Sequence, residues 1–169
     1  MEVPADIELH FRWPPSGERR GPKSLTPAQL MLVLLKVGPV AGRTMMQKQM
    51  FLAYNEVFER EAVMDPEFRA DYFGPYSPLV ADLPYLLRSE GKVVISARGE
   101  GHSTYNLGRR GRDEAGYLAS RKVARRQWNR LTEMKRSWDE FTTQGILRYV
   151  YRNYPEFTTK TKVPYLKWE

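Results

Sequence analysis

Six apolar residues in a row, Leu30 to Leu35, leave no polar face on this stretch. That pattern predicts a helix buried all round. Its start is marked by Thr26-Pro27-Ala28-Gln29: a hydroxyl N-cap, a proline suited to the first helical position and a glutamine able to complete a capping box. Gly38-Pro39 ends it. A second helix is expected from about Thr44 to Arg60, where Met46, Met50, Tyr54 and Val57 recur at spacings of four and three and Phe51 and Phe58 widen the stripe. After Asp65-Pro66, residues Phe68 to Phe73 read as a short strand leading into Gly74-Pro75-Tyr76-Ser77-Pro78. Ser77 and Pro78 repeat the cap-then-proline signal, so a third helix is expected from Pro78 to Ser89, with Leu79, Leu83, Leu86 and Leu87 inward. Pro84 removes one hydrogen bond from its middle, and Gly91 stops it. Two strands, Lys92 to Ala97 and Ser103 to Leu107, are joined by Arg98-Gly99-Glu100-Gly101-His102.

Beyond the hairpin the period returns to helix. Tyr117, Ala124, Leu131 and Trp138 sit seven apart, reinforced by Trp128 and Met134, and predict one long helix from Asp113 to Phe141. A last helix, Thr143 to Tyr154, is closed by Pro155, leaving a Thr/Lys-rich tail. At the other end, Asp6 to Trp13 alternates polar and apolar, which predicts a strand docked on a sheet edge of this chain or of a second copy. The expected fold is mainly α with a small antiparallel sheet: a winged helix-turn-helix core followed by C-terminal helices. The expected divisions are an arm at 1–24, the winged-helix domain at 25–112, a helical extension at 113–156 and a tail at 157–169.

Composition narrows the function classes. The 169 residues are 41% hydrophobic and include 4 Trp, 10 Tyr and 7 Phe, enough for a substantial core. No apolar run approaches the roughly 20 residues of a membrane span. The start, Met-Glu-Val-Pro-Ala-Asp, has no basic or apolar signal character, so the expected location is cytoplasmic. The absence of cysteine excludes disulfides, thiol nucleophiles and thiolate metal sites. His10 and His102 stand far apart, so neither a metal nor a histidine-driven triad is expected, and no cofactor is implied. The net charge of +7 is concentrated: residues 109–136 hold ten Lys/Arg against three acids, and the rest of the chain is balanced. Such a block is the footprint expected for a polyanion partner.

Three stretches together resemble the YwgA-like prokaryotic proteins, which are related in style to Panacea-type antitoxin domains: Gly42-Arg43-Thr44-Met45-Met46-Gln47-Lys48-Gln49-Met50-Phe51-Leu52, then Tyr72-Phe73-Gly74-Pro75-Tyr76-Ser77 with Asp82-Leu83, and Leu147-Arg148-Tyr149-Val150-Tyr151-Arg152-Asn153-Tyr154-Pro155-Glu156. The resemblance spans residues 26–162 and implies a winged-helix core with C-terminal helices. It implies no biochemical activity.

The leading expectation is a nucleic-acid-binding protein, with duplex DNA as partner and transcriptional regulation as role. Phosphate contacts are expected from Arg109, Arg110, Arg112, Lys122, Arg125 and Arg126. Tyr76, Ser77 and Arg88 are the candidates on the third helix, which carries no Asn or Gln for adenine readout. Arg98 is the candidate on the wing. The alternative is a protein-interaction module or antitoxin-like component that uses the winged helix as a scaffold. Asp82, Glu90 and Lys92 echo a metal-dependent nuclease pattern, but Asp82 falls mid-helix, so no catalytic residue is assigned and no enzyme is expected. Tyr149, Tyr151, Tyr154, Phe157, Tyr165 and Trp168 are expected to pack helices together or form an interface. A homodimer is expected, with Tyr117, Leu131 and Trp138 as the stripe that pairs.

Overall fold

The computed structural model describes residues 24–97 and 102–164. The element order is α1 (Pro27–Val37), β1 (Val40–Ala41), α2 (Arg43–Leu52), β2 (Arg69–Asp71), β3 (Gly74–Tyr76), α3 (Pro78–Ser89), β4 (Val93–Ala97), β5 (Ser103–Leu107), α4 (Arg109–Arg121), α5 (Arg125–Glu140) and α6 (Thr143–Asn153). The chain is mainly helical with a small antiparallel sheet of order β1-β5-β4, and β2 and β3 form a separate hairpin. No helix among the described residues is long and apolar enough to cross a membrane.

The expected capping box of α1 is present: Gln29 N–H donates to the Thr26 hydroxyl at 3.1 Å and Thr26 N–H to Gln29 Oε1 at 3.0 Å. Leu30 to Leu35 are all buried, making α1 the axis against which α2, α3, α4 and α5 pack, while α6 packs on α2. One hydrophobic cluster runs from Leu25 to Val150 and includes Met50, Phe51 and Leu52 of α2, Leu83 and Leu87 of α3, Ala115 and Leu118 of α4, and Leu131 and Trp138 of α5. Phe51 is ringed edge-on by Phe68, Tyr154 and Phe157 at centroid distances of 5.2, 4.8 and 4.9 Å. Glu56 accepts hydrogen bonds from Tyr149 (3.1 Å) and Tyr154 (2.9 Å) and so ties the end of α2 to α6. The C-terminal aromatics among the described residues therefore pack the helices together.

Several elements differ from the sequence reading. The second helix leaves α-geometry at Ala53 and finishes as a π-turn through Val57. The strand expected over Phe68 to Phe73 is present as β2, and the Gly74-Pro75-Tyr76 stretch after it is a second strand: Gly74, at φ +81°, lets the chain reverse after Tyr72-Phe73 and pairs with Asp71. Pro78–Ser89 is helical as expected despite Pro84, yet Leu79 and Leu86 face outward while Val80, Leu83, Pro84 and Leu87 face inward. The single long helix is two helices, broken at Lys122-Val123-Ala124, where Val123 is buried. The break takes the seven-residue stripe apart. Leu131 and Trp138 lie in this chain's own core, Tyr117 is exposed on α4, and the three do not form a pairing surface. Strand β1 is two residues long, too short for alternation to reveal. After α6 a 3-10 turn, Pro155–Thr158, carries Thr158 into the interior, so the chain stays packed past Pro155. The expected N-terminal strand, Arg98 with most of the wing tip, and Tyr165 and Trp168 fall outside the described residues.

Candidate nucleic-acid interface

Helix α4 is set against the sheet by close backbone approach. Gly108 N–H donates to the Lys92 carbonyl at 2.8 Å, and a Cβ on Gly111 would come within 1.9 Å of that same oxygen. With Gly111, Ala115 and Leu118 inward, Arg109, Arg110, Arg112 and Arg121 are left at the surface. Helix α5 turns Leu131, Lys135 and Trp138 inward and leaves Arg125, Arg126, Arg130 and Arg136 exposed. Lys122, in the break, is half-buried.

Of the ten cations in this block, one belongs to the interior. Lys135 is 0% exposed, and its Nζ donates to both carboxylate oxygens of Asp139 (2.9 and 2.8 Å) and to the Pro39 carbonyl (2.9 Å). Burial lowers its pKa, opposed by the bond to Asp139. Gln49 Nε2 donates to the same carboxylate at 2.8 Å. Among the described residues, no ion pair engages the other nine. Arg112 donates to the Leu107 carbonyl at 3.2 Å. Of the acids within the block, Glu114 pairs with Lys92 at 2.8 Å.

Residues assigned to α3 are dispersed. Ser77 is a correction: it is 0% exposed and serves as the N-cap, its Oγ accepting from Val80 N–H at 3.1 Å and donating to the Pro66 carbonyl at 2.6 Å, so it has no surface to offer a nucleic acid. Tyr76 is exposed. Arg88 lies over the Tyr85 ring, 5.4 Å from its centroid. No group of three or more His, Asp or Glu that could hold a metal ion occurs among the described residues; Lys92 pairs with Glu90 at 3.0 Å and with Glu114 at 2.8 Å.

Sequence reasoning missed the cleft beside α3. A cavity of about 490 Å³ opens between the start of α2, the β2–β3 hairpin and α3. Its lining includes Arg43, Lys48, Tyr72, Phe73, Asp82 and Tyr85. Lys48 is buried, and its Nζ donates to the Pro75 carbonyl at 2.8 Å. Desolvation pulls its pKa from 10.5 down to about 7, against the attraction of Asp71. Arg43 reaches the Tyr85 hydroxyl at 3.4 Å. The stretches that form this cleft are separated by the second helix and a turn, so only the fold brings them together.

No protein-family model matches the chain, and comparison with curated proteins and with solved structures finds no match. Its function must be argued from its own surface.

Proposed function

We propose that the protein is a winged-helix nucleic-acid-binding protein that holds the phosphate backbone through α4 and α5. The order α1-β1-α2-α3-β4-β5 with sheet order β1-β5-β4 supports a winged-helix reading in which the β2–β3 hairpin is inserted before the third helix. That reading agrees with the YwgA-like resemblance. The observation that carries the functional proposal is the set of eight exposed arginines on α4 and α5 that no carboxylate neutralises among the described residues. Each phosphate they engage releases condensed counterions, so affinity depends on charge and falls steeply with salt. Base reading is weak here, since α3 presents Leu79, Asp82 and Leu86 to solvent and its one arginine rests on Tyr85. Duplex DNA is the favoured ligand, in a regulatory or architectural role.

The test is a fluorescence titration of unrelated duplexes between 50 and 200 mM salt. Six phosphate contacts would reduce affinity about 10³-fold over that range. Arg125→Glu with Arg126→Glu should weaken binding to every sequence alike. Absence of binding at the lowest salt, or a flat salt dependence, rejects the proposal. A matched RNA duplex run in competition distinguishes the two nucleic acids.

A further inference from the structure

Exposed large apolar side chains are concentrated in one place. Nine are exposed on the described surface, and six of them, Tyr72, Phe73, Tyr76, Leu79, Tyr85 and Leu86, fall on the β2–β3 hairpin and α3. Phe73 at 51% and Leu86 at 49% exposure are far more open than side chains held in a core. Scattered apolar residues need no explanation, but a contiguous group rimmed by polar side chains around a concavity marks a contact surface. Tyrosines at the mouth of a desolvated pocket are the typical anchors of such a surface.

Charge distinguishes among possible occupants. At 100° per residue, Asp82 lies between the cleft-side pair Ala81 and Tyr85 and the outer pair Leu79 and Leu86. Its carboxylate is exposed and makes no ion pair among the described residues. Asp82 repels a phosphate backbone from the α3 ridge, while the exposed Arg43 lines the far side of the cleft, 3.4 Å from the Tyr85 hydroxyl. A second copy docking by this surface would be related by a two-fold axis, and Asp82, midway along the helix between Leu79 and Leu86 and on their cleft side, would be brought near its own symmetry mate. Like charges desolvated against each other disfavour that pairing. A heterologous partner with a cation at this position satisfies both the apolar residues and the carboxylate.

We infer that the α3–hairpin surface docks a segment of a different protein, in which a lysine or arginine lies between two apolar side chains. One apolar side chain fills the cleft between Tyr85 and Phe73. The cation pairs with Asp82, and the second apolar side chain covers Leu79 and Leu86. The surface is distinct from the arginines of α4 and α5, so the inference does not depend on nucleic-acid binding and gives the interaction-module alternative a defined site.

The probe is a phage-displayed random peptide library selected on the full-length folded chain, with recovered peptides synthesised and titrated by fluorescence anisotropy. The expected consensus is a Lys or Arg flanked by apolar residues. Asp82→Lys and Leu86→Glu should each weaken these peptides at least tenfold, whereas Arg125→Glu with Arg126→Glu should leave them unchanged. Replacing the peptide cation by glutamate should restore binding to Asp82→Lys. Both substituted positions are solvent-exposed, and circular dichroism verifies that each variant is folded. Failure to enrich any peptide overturns the inference, as does binding insensitive to both α3 substitutions. A dimer in sedimentation that reverts to monomer in Leu86→Glu overturns it too, by making a second copy the occupant.

Discussion

Gln47 and Ser77 hold each other through two hydrogen bonds of 2.9 Å: the Gln47 amide Nε2 donates to the Ser77 carbonyl, and the Ser77 N–H donates to Gln47 Oε1. A side-chain amide here pairs with the main chain as a neighbouring strand would, in a buried setting where neither partner has water as a substitute. The pair fixes where α3 begins relative to α2 and therefore sets one wall of the cleft.

Ser77→Ala should destabilise the fold by about 1–3 kcal/mol, since it removes the helix cap and leaves the Pro66 carbonyl without its 2.6 Å donor. Urea denaturation measures the loss. The folded variant should bind duplex DNA as the parent does. Unchanged stability with weakened DNA binding would contradict the buried structural role.

Lys48 makes the stability depend on pH in an unusual direction. Its folded pKa of about 7 lies below the unfolded 10.5, so between these values the unfolded chain holds a proton that the folded chain has released. Stability therefore rises with pH across that window, by at most about 1.4 kcal/mol per unit. The half-buried Tyr149 and Tyr154 act oppositely above about pH 10. Burial and the Glu56 carboxylate raise Tyr149 and Tyr154, and stability that depends on their protonated hydroxyls is lost once the unfolded chain begins to ionise. Chemical denaturation at pH 7, 8 and 9 should show the increase. Lys48→Met should flatten the slope, its relief of the buried charge at pH 7 being offset in part by the donor lost to the Pro75 carbonyl, and a slope unchanged by that substitution would show that other groups dominate.

Gly111→Ala should be costly because the obstacle is main chain. The new Cβ would lie 1.9 Å from the Lys92 carbonyl oxygen and 2.8 Å from its carbon, and neither can rotate away. Moving α4 off β4 loses apolar contacts at Ala115 and Leu118, which places the cost at or above the upper end of the ~1–3 kcal/mol usual for overpacking. Gly116→Ala, with no atom within 4 Å of the added methyl, is the control and should be neutral or slightly stabilising. A thermal melt of the two variants side by side decides it.

Local signals carried most of the elements. Caps at Thr26 and Ser77 and the two strand stretches at Lys92 to Ala97 and Ser103 to Leu107 act over a few residues, and those elements lie where the sequence puts them. Four features depended on distant partners and were not legible. Periodicity could not show that Val123 would turn inward and break α4 from α5, because helical spacing is blind to a neighbour that offers a pocket. Nor could the apolar character of Leu79 and Leu86 reveal that they face solvent, since a leucine at a surface and one in a core read alike. The cleft joins residues some sixty positions apart, from Arg43 to Tyr105, and no short sequence window contains it. On the basic block, composition located the positive charge but could not single out Lys135, whose partner Pro39 lies 96 residues away.

Lys135 and its neighbour Arg136 give the sharpest separation of structure from surface. Their charges are alike and their positions adjacent, yet Lys135 is in the interior bound to Asp139 and Pro39, and Arg136 is exposed. Lys135→Ala should cost about 1–3 kcal/mol, because the Pro39 carbonyl loses its donor and Asp139, itself 44% exposed, loses its counter-ion but keeps water. Its effect on duplex affinity should be small once the protein is folded. Arg136→Ala should leave the denaturation midpoint within about 0.5 kcal/mol. If Arg136 contacts a phosphate, the salt dependence of log affinity should also become shallower by roughly 0.9. Denaturation and salt titration of both variants give four measurements. A common loss of affinity at both positions without loss of stability would place Lys135 on the binding surface and refute the division drawn here.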